Sequence, residues 1–232
     1  PGEVVEAVVA EFERGNVPIN SAEGFTRQVI GWREYIWNCY WQWMPEYARM
    51  NALAAEVPLP KFFTSPETTK MACMKSVLEG VYEHSYAHHI ERLMVLGNFA
   101  LIAGINPQQL TSWMWNSFVD AAEWVMVPNV VGMSQYADGG MLATKPYASG
   151  GAYIDRMSDH CKGCAYDRKK RVGEDACPFT VLYWDFFLRH EEKFVKNPRV
   201  ARQVRAAQQL ADRDELQATA VTILQRLQSG EL

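Results

Sequence analysis

Residues 31–47 read GWREYIWNCYWQWMPEY. Aromatic and apolar side chains fall on nearly every face of a 3.6-residue period, so the stretch is expected to be a helix that is deeply buried or lines a cavity. Its surroundings keep the same period. Upstream, Val4, Val5, Val8, Val9 and Phe12 recur three and four apart, as do Phe25, Val29 and Ile30 after Ser21-Ala22-Glu23-Gly24. Downstream, beyond Pro58 and Pro60, residues 68–103 carry the longest helical pattern, with a break expected near Gly80. Pro107 opens another helix that runs through Leu110, Trp113 and Phe118 to about Trp124. Helix is expected again over 152–160 and over the aromatic segment from Pro178 to Glu192, followed by a polar helical extension over 197–232. No strand-like alternation or internal repeat interrupts these elements, so the fold class is all-α.

With 232 residues, the chain can bury roughly 70–75% of its unfolded surface without disulfide staples. It is 48% apolar and 22% charged with a net charge of −4, which excludes disorder and any wholesale basic nucleic-acid glove. A nucleic-acid site must therefore be a local patch. No apolar run reaches about 18 residues and the start is not leader-like, so the expectation is a cytoplasmic protein with no membrane partner.

Three segments carry candidate chemistry. Cys161-Lys-Gly-Cys164 sets two thiols at metal-ligand spacing, and Cys177 follows with Pro178 behind it. Cys73 is better placed than Cys39 as a fourth ligand, because Cys39 sits within the aromatic helix as a small hydrophobe. Spacing alone leaves open an iron-sulfur cluster or a zinc site of the same thiolates, or of three plus His160. The Gly-, Ser- and Pro-rich stretch 128–151 is expected to be a long functional loop. Finally, Tyr86, His88, His89 and Arg92 are expected in the middle of a helix. There Tyr86, His89 and Arg92 share a face and could meet a ring-sized ligand, with imidazole available for proton transfer.

The stretches YAHHIERLMVLGNFALIAGINP, FVDAAEWVMVPNVVGMSQYADGG, TKPYASGGAYIDRMSDHCKGC and ACPFTVLYWDFF, with GFTRQVIGWREY before them, together resemble the iron-sulfur bacterial cryptochromes and photolyases. The resemblance is dense from about residue 20 to 195. It implies the C-terminal helical FAD-binding domain of that fold with a [4Fe-4S] cluster, truncated at its N-terminus and lacking the α/β antenna domain. The activity implied is that of a (6-4) photolyase, a lyase that uses light to reverse (6-4) photoproducts in UV-damaged DNA, working as a bacterial monomer. Cluster ligands carried over by the resemblance are Cys73, Cys161, Cys164 and Cys177. His88 and His89 match the histidines at the lesion, with His89 the preferred proton donor, and Met133, Tyr147 and Tyr153 match lesion-side residues. The flavin set comprises Arg33, Tyr86, His89, Arg92, Asp120, Ala122 and Met126, and Trp113 matches an electron-passing tryptophan. Met114, Ser65 and Met126 depart from the family pattern at positions that bear on photoreduction. Phosphate contacts are expected from Lys145, Arg156, Lys162 and the Arg168–Arg171 run. Two other classes share parts of this pattern: a blue-light photosensor with the same cofactors, and a light-independent iron-sulfur nucleic-acid-binding module.

Overall fold

Apolar residues three and four apart need a partner face, and the chain supplies only helices to provide one. The computed structural model describes residues 1–232 and contains no strand, only two isolated bridges, Val57 with Ile105 and Asp167 with Ala176. The helices are α1 (Gly2–Glu13), α2 (Ile19–Arg27), α3 (Glu34–Trp43), α4 (Ala72–His84), α5 (His89–Glu91), α6 (Asn98–Ala103) and α7 (Pro107–Ser117). They continue with α8 (Glu123–Val127), α9 (Gly151–Met157), α10 (Pro178–Arg189), α11 (Glu191–Phe194), α12 (Ala201–Gln208) and α13 (Arg213–Ser229). No helix is long and apolar enough to cross a membrane.

One large core joins α4, α6, α7 and α10 to the C-terminal helices, with Phe63, Phe99, Phe179, Phe186 and Phe187 almost fully buried. The polar segment after residue 197 contributes directly to it. Val204, Ala207, Leu216, Ala220, Ile223 and Leu227 are buried against α10, one face each of α12 and α13.

Three windings are wider than α. Gln28–Arg33 continues α2, Arg92–Gly97 joins α5 to α6, and Pro128–Ser134 continues α8, all as π-helix. The second and third touch at Gly97, where a Cβ would collide with the Ser134 side chain and lie 2.9 Å from the Arg92 carbonyl oxygen. Only glycine allows that approach. Gln135 Nε2 then donates to the Gly97 carbonyl at 3.0 Å and ties the pair.

Several expectations are corrected. The long helix breaks at Ser85, not at Gly80: α4 ends at His84, and Ser85 takes the left-handed conformation at φ 51°. The His pair is therefore at a helix start. The helix expected from Pro107 to Trp124 likewise ends at Ser117, and α8 restarts at Glu123. The two breaks are bonded together, the Val119 N–H donating to the Ser85 carbonyl at 2.8 Å. The stretch expected to be loop from 128 is helical as far as Ser134. The aromatic helix is not deeply buried either. Only Ile36 and Cys39 of α3 are buried, while Trp41 is 63% exposed at the end of a row Trp124, Trp37, Trp41 with ring centroids 5.1 and 5.5 Å apart.

His190, beside Phe186 and Phe194, has its pKa lowered to about 4 by burial and then by the charges of Arg189 and Lys193. The native state thus binds fewer protons than the unfolded one. The stabilisation is present above the ordinary imidazole pKa of about 6.5 and is lost as pH falls toward 4, about 2 kcal/mol after allowance for partial exposure. Urea unfolding across that window should show the loss, and a His190→Phe variant should show a flatter pH dependence.

Candidate functional site

The local sequence dictates how the histidines are held. His88 occupies the N-cap of α5: its Nδ1 accepts from the Ile90 N–H at 3.2 Å, and the Glu91 carboxylate accepts from the His88 N–H at 2.8 Å. This reciprocal capping box satisfies two otherwise unpaired donors. His89 is thereby turned toward a cavity while His88 is not among its walls.

That cavity has a volume of about 840 Å³, within the range of cofactor-sized sites. Each of the three π-helical segments lines it: Gln28, Gly31 and Trp32 from the first, Arg92 and Leu93 from the second, Asn129, Val130, Met133 and Ser134 from the third. A π-turn adds a residue to the ring closed by each hydrogen bond, widens the helix and re-aims the following side chains, and such turns recur at functional sites. Arg27, Tyr35, Tyr86, His89, Met114, Asp120, Val125, Met126 and Tyr147 complete the wall.

Arg92 is the best-fixed group there. Its Nη1 and Nη2 donate to the two Asp120 carboxylate oxygens at 2.9 and 3.1 Å, and its Nε donates to the Ala87 carbonyl at 2.7 Å. The guanidinium lies 4.0 Å over the Phe118 ring and 4.9 Å over Tyr86. A bidentate pair between aromatic faces leaves a planar, oriented cation at the cavity edge. His89 stands at the exposed rim, and its pKa is lowered by partial burial, then by the charges of His88 and Arg92. The structure thus gathers Tyr86, His89, Arg92, Asp120, Met126, Met133 and Tyr147 from distant parts of the sequence.

Other expected residues lie off the cavity. Arg33 pairs with Glu34 and sits 5.3 Å over Trp124, on the outer side, and its neighbour Trp32 takes the wall position with Nε1 donating to Asn129 Oδ1 at 3.3 Å. Within the π-turn over 28–33 it is Trp32, not Arg33, that lines the cavity. Ala122 is the N-cap of α8, and Tyr153 is on α9 beneath Arg156. Trp113 is buried in the main core against Phe63 and Phe118, and its indole N–H has no partner. Trp32, Tyr35, Gln28 and Asn129 were not anticipated; the quoted GFTRQVIGWREY segment contained the first three, without the π register that points them inward.

The four cysteines also converge. Cys73 in the first turn of α4, Cys161 in a 3₁₀ turn (His160–Gly163), Cys164 just after it and Cys177 at the N-cap of α10 line one small enclosed space with Met71, Tyr166 and Phe179. Burial raises the pKa of Cys73 and Cys177 and pushes Cys161 up to about 11, and the neighbouring thiols add to the rise at Cys73 and Cys161. Four thiolates together therefore call for a compensating cation. No three His, Cys, Asp or Glu side chains are gathered closely enough for a single ion. Cys39 lies elsewhere, packed with Ile36, Leu142 and Ala143.

No protein-family model matches the chain. It is 46% identical over 227 residues to a (6-4) photolyase of Agrobacterium fabrum, an alignment that covers 97% of this chain and 45% of the relative. It is also 32% identical over 101 residues to an uncharacterized protein, R855, of Acanthamoeba polyphaga mimivirus, covering 44% of this chain and 75% of that one. The chain thus spans a little under half the length of the photolyase it matches. Near-complete alignment of an all-helical chain at this identity, with the quoted stretches inside it, places the protein in the photolyase/cryptochrome family, as its C-terminal portion.

Proposed function

We propose that the cavity holds FAD and that the protein takes part in light-driven repair of (6-4) photoproducts in UV-damaged DNA. The observation that carries this reading is the convergence of His89, Tyr86, the Arg92–Asp120 pair, Met133 and Tyr147 on one cofactor-sized cavity. Similarity to a (6-4) photolyase supports it. FAD, when bound, supplies light absorption and one-electron transfer. The protein's part would be to hold a planar ring against a wall that includes Trp32, Met126 and the oriented Arg92 guanidinium. It also admits an extrahelical lesion beside Tyr147 and Met133 and presents the His89 N–H as general acid at the rim.

The four-cysteine space fits a [4Fe-4S] cluster in donor set, which is four thiolates. Cys73, Cys161, Cys164 and Cys177 would hold the cluster. Its place joins α4 to the N-terminus of α10, whose Phe179 and Thr180 backbone N–H groups favour the Cys177 thiolate.

The test is the purified chain itself. Flavin bands are expected in its visible spectrum, and blue light is expected to restore (6-4)-containing oligonucleotides. A protein that takes up no FAD on reconstitution, or that keeps flavin yet leaves the lesion intact, would sink the cofactor or the repair assignment respectively.

A further inference from the structure

Seven basic residues were candidates for phosphate contacts, and the structure divides them. On the cysteine segment Arg168 is paired with Asp155 at 2.6 Å, Lys170 with Asp175 at 2.5 Å and Arg171 with Asp212 at 3.0 Å. Lys162 and Lys169 share a groove with Asp155, Asp167 and Asp175. Cations matched by adjacent carboxylates offer little net field to a polyanion. Lys162 and Lys169 are, like Lys145 and Arg156, exposed and outside the ion pairs, but only the latter two each lie over a tyrosine ring, Lys145 at 5.7 Å from Tyr147 and Arg156 at 5.6 Å from Tyr153.

The backbone between them is fixed. Asn98, itself 1% exposed, donates from Nδ2 to the Ser149 carbonyl at 2.9 Å and to Ser149 Oγ at 3.0 Å, and accepts the Ser149 N–H at 2.9 Å. Asn197 Nδ2 donates to the Thr144 carbonyl at 3.0 Å, and the Gly151 N–H donates to Thr180 Oγ1 at 3.2 Å. Tyr147 lines the cavity. Two aromatic-backed cations are thus carried on one pinned segment that enters the cavity wall at Tyr147, in a chain whose net charge of −4 excludes a broad basic face.

We propose that Lys145 and Arg156 are the residues that hold the phosphates of the nucleic-acid strand flanking the base admitted to the cavity, and that the cysteine-segment cations do not. The tyrosine faces hold each cation in place and shield one side of it from water, so its charge is directed outward. This rests on the DNA-repair reading above, and the experiment separates the two.

Binding of the full 232-residue chain to a fluorescein-labelled duplex carrying a (6-4) photoproduct is followed by anisotropy over a salt series. Each lost phosphate contact flattens the slope of log K against log salt by about 0.9. Lys145→Gln with Arg156→Gln should therefore flatten it by about 1.8, making the fall in affinity from 50 to 200 mM salt about 12-fold smaller. Lys162→Gln with Lys169→Gln should leave it as in the unmodified chain, with circular dichroism unchanged in all variants. A Lys145/Arg156 double variant with an unchanged slope overturns the proposal, as does an equal effect of the Lys162/Lys169 pair. An unmodified chain that does not bind the duplex at any salt overturns the DNA reading itself, and this inference with it.

Discussion

Replacing His89 with alanine is expected to lower the rate of (6-4) repair by about 10²- to 10⁴-fold, the range for loss of a general acid. Flavin absorbance should not change, because the group that orients a ring, Arg92 held by Asp120 and by the Ala87 carbonyl, is independent of the His89 side chain. His88 should behave differently. Its Nδ1 caps α5, so His88→Ala costs about 1 kcal/mol of local stability, and His88→Asn, which can cap, restores it. The pH profile checks the role of His89. Burial and the neighbouring positive groups favour its neutral form, so the imidazolium fraction, and with it a rate that needs the proton, should rise as pH falls below about 6.5. A His89→Ala variant should lack that rise. A variant with full repair activity would remove His89 from the chemistry.

The second large effect concerns the thiols. Cys73→Ser is expected to abolish iron and sulfide content and to lower Tm by about 10 °C or more, since metal binding at such a site is folding free energy. The reason lies in what the cysteines join. Cys73 is in α4, Cys177 caps α10, and the two remaining thiols flank the turn between α9 and the segment leading to α10. Without a shared cation these elements retain buried, acid-weakened thiols whose charged forms repel one another. Cys39→Ser provides the contrast, because that residue belongs to a separate apolar cluster and should leave iron content untouched. Zinc in place of iron in the unmodified protein would refute the cluster.

Legibility in the sequence followed the range of the physics. The all-α class, the cap at Asn106-Pro107 and the core face of α10 are set by contacts within a few turns, and these are what periodicity reports. The grouping of Cys161 and Cys164 is likewise local. Comparison with Cys39 favoured Cys73, and resemblance pointed to Asp120; the first is 88 to 104 residues from its partners and the second 28 from Arg92, and the fold brings them there. Arg33 and Trp113 do not line the cavity, which leaves the electron-passing assignment of Trp113 untouched. In the π-turn Trp32 takes the wall while Arg33 lies over Trp124, and Trp113 is held among phenylalanines by the main core. The aromatic run met the second of its two expected placements, lining the cavity with Gly31, Trp32 and Tyr35, and is not deeply buried because hydrophobicity on all faces does not say how many faces will find partners.

By itself the sequence determined that this protein is helical, that its five cysteines are not a disulfide framework, and that a histidine, an arginine and aromatic residues recur where chemistry is possible. Only the tertiary structure decided which of them meet. It paired the breaks at Ser85 and Phe118 so that Arg92 reaches Asp120, let Gly97 bring two π-turns together around the cavity, and neutralised three cations while leaving Lys145 and Arg156 free. Helix periodicity is a local property of the chain. Register shifts, close backbone approaches and ion pairing depend on what packs opposite, which no local pattern encodes.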